Sequence, residues 1–180
     1  MAMYKAKDEY INTIRRIDNK VLFNKPPVRP YYYINLNLDG VEYALPLSSA
    51  KENVKYNPFT QIRIMDKDKE LSKIFLINMI PFHENLFDKI NYNEYDINYQ
   101  KLLSKEEYYI KSNYATIVNK ATTLYNARYN PNHYKYPMLT RNCCDFKAIE
   151  GFLEMNNYTE NYFKEEGLHI NQDDDYGIEM

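Results

Sequence analysis

Residues 43–53, YALPLSSAKEN, end an apolar, strand-like run on two adjacent hydroxyls, Ser48 and Ser49, and set Lys51 two residues beyond the second. In an extended chain alternate residues share a face, so Ser49 and Lys51 point the same way and a phosphate fits against both. S-A-K-E, residues 49–52, also fits the S-x-x-E capping box, in which Ser49 starts a helix and Glu52 reaches back to it; on spacing alone this capping reading is the stronger. A capped helix start is itself a place where backbone N–H groups converge on an anion, so either geometry leaves room for a phosphate. Arg29, in the VRP stretch just before the first strand of a hairpin, is a second cation that could meet it. Serine is too weakly basic to act unaided as a general base, which suits Ser49 to positioning and phosphate hydrogen bonding. A desolvated Lys51 near Arg29 would have a lowered pKa and could transfer a proton.

Other chemistry finds little support. His83 follows a strand end, His133 lies in a Pro- and Asn-rich stretch, and His169 falls in an acidic tail. No H-x-x-x-H or C-x-x-C spacing suggests a metal, and four glycines form no phosphate-cradling loop, which argues against nucleotide-dependent chemistry. The adjacent Cys143 and Cys144 are too close for an ordinary disulfide and fit a reducing compartment.

The elements that must position these residues follow from pattern. Residues 3–7 read as a strand and 9–17 as an amphipathic helix, followed by a turn at 18–20. FNKPPVRP, residues 23–30, is an extended loop. Two strands flank Asp39-Gly40, a dipeptide suited to the positive φ angles of a tight hairpin. A second hairpin pairs QIRIMD with KIFLINMIPF around a charged turn at 66–70. After residue 85 the pattern turns helical: one long helix over 106–128, a loop over 130–142, and a helix over 145–155 with Asp145 as its cap.

The chain of 180 residues reads as one domain, 1–180, with a frayed, mobile tail at about 171–180. Its composition, 44% hydrophobic and 27% charged, is that of a soluble protein with no membrane-spanning run, and the charged N-terminus does not resemble an export signal, so a cytoplasmic location is expected. The net charge of −2 is unevenly placed: nine of 25 acidic but one of 23 basic residues fall within 150–180, leaving a body of +6 and a tail of −8. Such a body suits a polyanionic partner, and equally a solvated mixed surface. The 20 tyrosines accompany abundant Asn, Lys and Ile, a composition that reflects coding bias and core packing as much as base stacking.

The order of these segments resembles the endoribonuclease toxins of type III toxin–antitoxin systems, the ToxN and AbiQ family. The resemblance runs from residue 3 to about 155, through MYKAKDEYI and IDNKV, VRPYYYINLNLDGVEYALPLSSAK, FLINMIPF, YYIKSN with VNKATTLYNAR, and CCDFKAIE. The block G-x-x-Y-x-x-P-L-[ST]-S-x-K is its most specific part, because the hydroxyl pair and the lysine mark the family's active site. By this resemblance Ser49 and Lys51 belong to the catalytic site with Ser48 beside them, and Arg29 takes the place of the basic residue before the hairpin. Ala50 and Asn53 stand where proline and histidine are often found, and Lys25 where some members have tyrosine. Candidate RNA contacts are Lys20, Lys25 and Lys111, with Tyr31, Tyr43 and Asn113 in the matched segments.

The resemblance also implies an α+β fold, a compact, strongly twisted antiparallel sheet with flanking helices like that of MazF-like toxins. It implies metal-independent, cofactor-free cleavage of target mRNA or phage RNA at A-rich single-stranded sites, leaving a 2′,3′-cyclic phosphate. The partner would be a small repeat-derived antitoxin RNA, a pseudoknot that the toxin cuts from its precursor and then binds, with higher-order assembly on that RNA. The biological role would be abortive phage infection. Two other classes share the same features: a non-catalytic RNA-binding protein, and a MazF-like ribonuclease with a protein antitoxin.

Overall fold

The chain opens with strand β1 (Met3–Ala6) and helix α1 (Asp8–Ile17), whose apolar face buries Tyr10, Ile11 and Ile14. The computed structural model describes residues 2–24, 31–38, 40–49 and 55–155, and of residues 31–35 the backbone alone. Strands β2 (Tyr31–Leu38) and β3 (Val41–Ser49) form the expected hairpin, with Gly40 at φ 90° and its N–H donated to Asn37 Oδ1 at 2.9 Å. A β-carbon is disfavoured in that left-handed region, which is why glycine serves here. Asp39, its partner in the dipeptide, and residues 171–180 lie outside the described residues.

Strands β4 (Gln61–Asp66) and β5 (Lys69–Phe75) make the second hairpin around a turn in which Lys67 takes φ 55°. The strand read over 73–82 is broken: β5 ends at Phe75, a 3-10 turn covers Leu76–Asn78, and β6 (Ile80–Pro81) resumes alone. A further strand, β7 (Phe87–Lys89), lies where helices were expected and pairs with β1.

The seven strands form an antiparallel sheet in the order β4-β5-β3-β2-β1-β7, with β6 also on β3. On one edge β3 changes partner: Tyr43 and Ala44 pair with β6, whereas Leu47, Ser48 and Ser49 pair with β5. The 3-10 turn between β5 and β6 makes that corner, and a register shift between Tyr33 and Asn37 bends β2 against β3. The sheet is therefore curled, as expected, and its last β3 residues lean away with β5.

The remaining helices are α2 (Ile97–Ser112), α3 (Tyr114–Arg128), α4 (Tyr136–Asn142) and α5 (Phe146–Met155). The single helix read over 106–128 is thus two. Asn113 separates them at φ −113° and ψ 16°, with its side-chain amide donating to the Tyr109 carbonyl at 2.8 Å. Asparagine competes with the backbone in this way and so favours helix ends. Helix α4 occupies the stretch read as a loop, and α5 starts as expected, the Ala148 N–H lying 3.4 Å from Asp145 Oδ1.

Tyr43, Tyr125 and Phe146 form an aromatic nest in the core, the last two rings stacked at 5.7 Å and 7°. Both tyrosine hydroxyls donate to the Glu150 carboxylate. Cys143 and Cys144 are free and buried, and burial pushes both thiols up, Cys144 to about 12, so neither is a ready nucleophile. Among the described residues no helix is long and apolar enough to cross a membrane.

Asp18 ties three segments together. Its Oδ1 accepts from the Lys20 N–H at 2.9 Å, and its Oδ2 accepts from the Asp145 N–H at 2.6 Å and the Lys20 ammonium at 3.0 Å. The end of α1 is thereby fixed to the start of α5.

Candidate active site

Antiparallel pairing decides what Ser48 and Ser49 face. Ser48 opposes Lys73, which opposes Arg63; Ser49 opposes Ser72, which opposes Ile64. Directly opposed residues share a face and neighbours along a strand do not, so the two hydroxyls point to opposite sides of the sheet. Ser49 is exposed and Ser48 half-buried.

On the Ser48 side a charged row spans β5 and β4. The Lys73 ammonium, buried, lies 3.2 Å from Glu70 Oε1, and Arg63 Nε lies 2.9 Å from Glu70 Oε2. The Arg63 guanidinium also sits 4.1 Å from the centroid of the Tyr56 ring. This row braces β5 against β4 and so holds the end of β3. Its members were not singled out in the sequence, because nothing local to residues 61–75 shows that β5 turns to pair with Ser48.

On the other side Ser72 is buried, and Glu106 of α2 packs beneath β4 and β5 with its carboxyl also buried. Burial pushes that carboxyl up, and the nearby Ser72 hydroxyl, just outside hydrogen-bond geometry, only partly offsets this.

The remaining sequence candidates separate. Lys25, Arg29 and Lys51 lie outside the described residues, as do the other members of the capping box, so that box is not decided. Tyr31 is placed by its backbone, opposite Pro46 of β3 and Tyr4 of β1. Tyr43 is corrected: its ring is fully buried and its hydroxyl is taken by Glu150, so it offers no face to RNA. Lys20 is committed to Asp18 rather than to an open surface. Lys111 is half-exposed and paired with Glu107 at 2.7 Å. Asn113 lines a separate groove near the β4–β5 turn, beside Asp66, Lys67, Lys105 and Tyr108. The structure therefore brings Ser48, Ser49 and the Tyr31 backbone to one end of the hairpin and puts Lys20, Lys111 and Asn113 elsewhere.

The class so defined is an α+β protein whose curled antiparallel sheet ends a central strand on an exposed hydroxyl, with a charged row on the opposite face. The family described as toxin ToxN of type III toxin–antitoxin systems matches residues 2–154, and the chain belongs to it. It is an endoribonuclease: the ToxN endoribonuclease of Bacillus thuringiensis subsp. kurstaki is 31% identical over 151 residues, 79% of this chain and 77% of that one. The ToxN endoribonuclease of Pectobacterium atrosepticum is 27% identical over 137 residues, 70% and 80% of the two chains. A solved type III toxin, studied for its selective inhibition by a non-coding RNA pseudoknot, superposes with a TM-score of 0.80 at 27% identity, over 88% of this chain and 98% of that one. AbiQ, a lactococcal anti-phage endoribonuclease of a type III system, gives a TM-score of 0.72 at 22% identity over 88% and 98%, a likeness of fold. The comparisons do not set AbiQ apart from ToxN as the member this chain most resembles.

Proposed function

We propose that this endoribonuclease cuts single-stranded RNA without a metal ion, by attack of the ribose 2′-hydroxyl on the adjacent phosphate, leaving a 2′,3′-cyclic phosphate. The observation that carries the reading is Ser49, an exposed hydroxyl at the end of β3 within the block that resembles the family's active site. In this reading Ser49 donates a hydrogen bond to a phosphate oxygen, while Arg29 and Lys51 stabilise the charge of the phosphorane. Lys51 follows Ser49 by two residues and Arg29 precedes Tyr31 by two, and two residues of chain span at most about 7 Å. In this reading both cations act at the end of the β2–β3 hairpin that carries the serines. Ser48, on the opposite face with Lys73, has a supporting role, so Ser48→Ala is expected to retain more activity than Ser49→Ala when initial cleavage rates are compared.

The partner we infer is a repeat-derived RNA that the enzyme processes and that then holds it inactive. Inhibition of the superposable toxin by a non-coding RNA pseudoknot supports an RNA over a protein antitoxin. The test is cleavage in EDTA with analysis of the product ends, together with sequencing of the RNA that copurifies. Cyclic phosphate ends formed in chelator, and a tandem-repeat RNA in the preparation, are expected. Activity abolished by EDTA excludes the mechanism.

The catalytic unit is expected to end before the acidic terminus, since the family match stops at residue 154. A chain truncated after Ile170 should cleave RNA and arrest growth like the full chain. A folded, soluble truncation that has lost cleavage would instead make residues 171–180 part of the site.

A further inference from the structure

Residues 108–144 contain five Lys and Arg and no Asp or Glu, although 25 acidic residues are present in the chain. Three aromatic rings meet on the surface of this acid-free segment. Phe59, just before β4, stacks on His133 at 5.8 Å and 29°, and His133 lies against Tyr134 at 4.9 Å and 31°. The Lys135 ammonium sits 5.9 Å from the Phe59 centroid and 5.0 Å from that of Tyr134. Tyr134 is 78% exposed, an unusual position for a large aromatic side chain.

The cluster is pre-ordered by its own turn. His133 donates its N–H to the Asn130 carbonyl at 3.0 Å, its Nδ1 accepts from the Lys135 N–H at 3.1 Å, and its carbonyl accepts from the Tyr136 N–H at 2.8 Å. Beside Phe59 a cleft of about 300 Å³ is lined by Pro58, Thr116, Asn119, Lys120 and Thr123. It presents hydroxyls, of which that of Thr123 donates to the Asn119 carbonyl, an amide, and the Lys120 ammonium, which donates to the Pro58 carbonyl at 3.5 Å, and no carboxylate. The groove at the α2–α3 break differs: Lys105 there is already paired with Asp66.

We propose that Phe59, His133, Tyr134 and Lys135, with Lys120 in the adjoining cleft, form a binding platform for unpaired nucleotides of a single-stranded RNA, distinct from the cleavage site. One base stacks on Tyr134, and the flanking phosphates meet Lys135 and Lys120. Stacking on an exposed aromatic ring, combined with cations along the backbone, is how proteins hold single strands without reading sequence. The Leu76 N–H donates to the Thr60 carbonyl, and Lys73 opposes Ser48 across one strand pair. Counting strand spacings and residue rises from there places Thr60 roughly 15 Å from Ser48, a distance a few nucleotides span. This proposal rests on the reading of the substrate as single-stranded RNA, and Tyr134 is assigned no part in the reaction.

Fluorescence anisotropy with a short 2′-O-methyl oligoadenylate tests it, because that probe lacks the attacking 2′-hydroxyl and reads binding alone. Tyr134→Ala should weaken binding about tenfold and Tyr134→Phe should bind like the parent, as expected for a lost and a retained stack. The Lys120→Ala, Lys135→Ala pair should lower the slope of log Kd against log salt by about 1.4, two phosphate contacts on a single strand. Unchanged affinity in Tyr134→Ala, in a parent that cleaves RNA, overturns the platform and leaves the cleavage reading standing. A parent that binds with the expected pattern but cleaves no RNA does the reverse. No binding of the oligonucleotide by the parent at low salt also overturns the platform.

Discussion

Ser49→Asp is expected to yield a folded, soluble protein that no longer cleaves RNA. Ser49 is exposed at the end of β3, opposite a buried Ser72, so a polar replacement disturbs little packing and changes stability within about 0.5 kcal/mol. Its effect on a bound phosphate is large by comparison: two unit charges 4 Å apart near a protein surface repel by about 4 kcal/mol, close to a thousandfold in rate. Ser49→Ala removes the donor without adding the charge and should be the milder of the two, still costing on the order of a hundredfold. Arg29→Ala and Lys51→Ala should each lower cleavage by a similar order. The opposite pattern follows if Ser49 only caps a helix over the residues after it. Alanine would then cost about 1 kcal/mol of stability, and aspartate, a good cap, would be harmless to both stability and activity. Initial cleavage rates and thermal melts of the two variants decide between these readings. A Ser49→Asp protein that still kills cells returns Ser49 to a capping role.

How far the sequence revealed this arrangement depended on the range of each signal. The β2–β3 hairpin was legible because its turn is local and Gly40 is the residue that a left-handed turn position favours. The break at Asn113 was not, because Ile110 and Ile117, both buried, stand seven apart and continue one apolar stripe through the one-residue interruption. The Pro- and Asn-rich stretch made residues 130–142 look like a loop, yet Pro137 falls in the first turn of α4, where its missing N–H costs nothing. At the candidate site the hydroxyl pair and Lys51 stood in one short block, so their type and spacing were readable. The face each hydroxyl takes was not readable, since it depends on β3 exchanging β6 for β5, a pairing set by the corner at Leu76–Asn78. Tyr43 misled for the same reason: its place in the matched block suggested a contact, whereas helices α3 and α5 cover it with Tyr125 and Phe146.

The largest loss of stability is expected from Asp18, a residue remote from the hydroxyls. Burial alone would push its carboxyl up, but the N–H groups of Lys20 and Asp145 and the Lys20 ammonium outweigh that and hold it below its ordinary value of 3.8. Asp18→Ala leaves the Asp145 N–H and the Lys20 ammonium without their acceptor in a largely buried junction, costing about 3 kcal/mol and lowering Tm by on the order of 10 °C. Asp18→Asn keeps the shape but turns an amide donor toward groups that are themselves donors, so it recovers only part of the loss. The pH dependence gives the cause away. A carboxyl whose folded pKa lies below its unfolded one contributes stability that is fully present above about pH 4 and is lost as pH falls through the folded value. The parent should therefore lose stability in acid more steeply than Asp18→Asn, whose curve lacks this contribution, while both proteins cleave RNA at similar rates near neutral pH. If the two melting curves run parallel from pH 6 to pH 3, the ion pair contributes nothing and the junction is held by α5 packing alone.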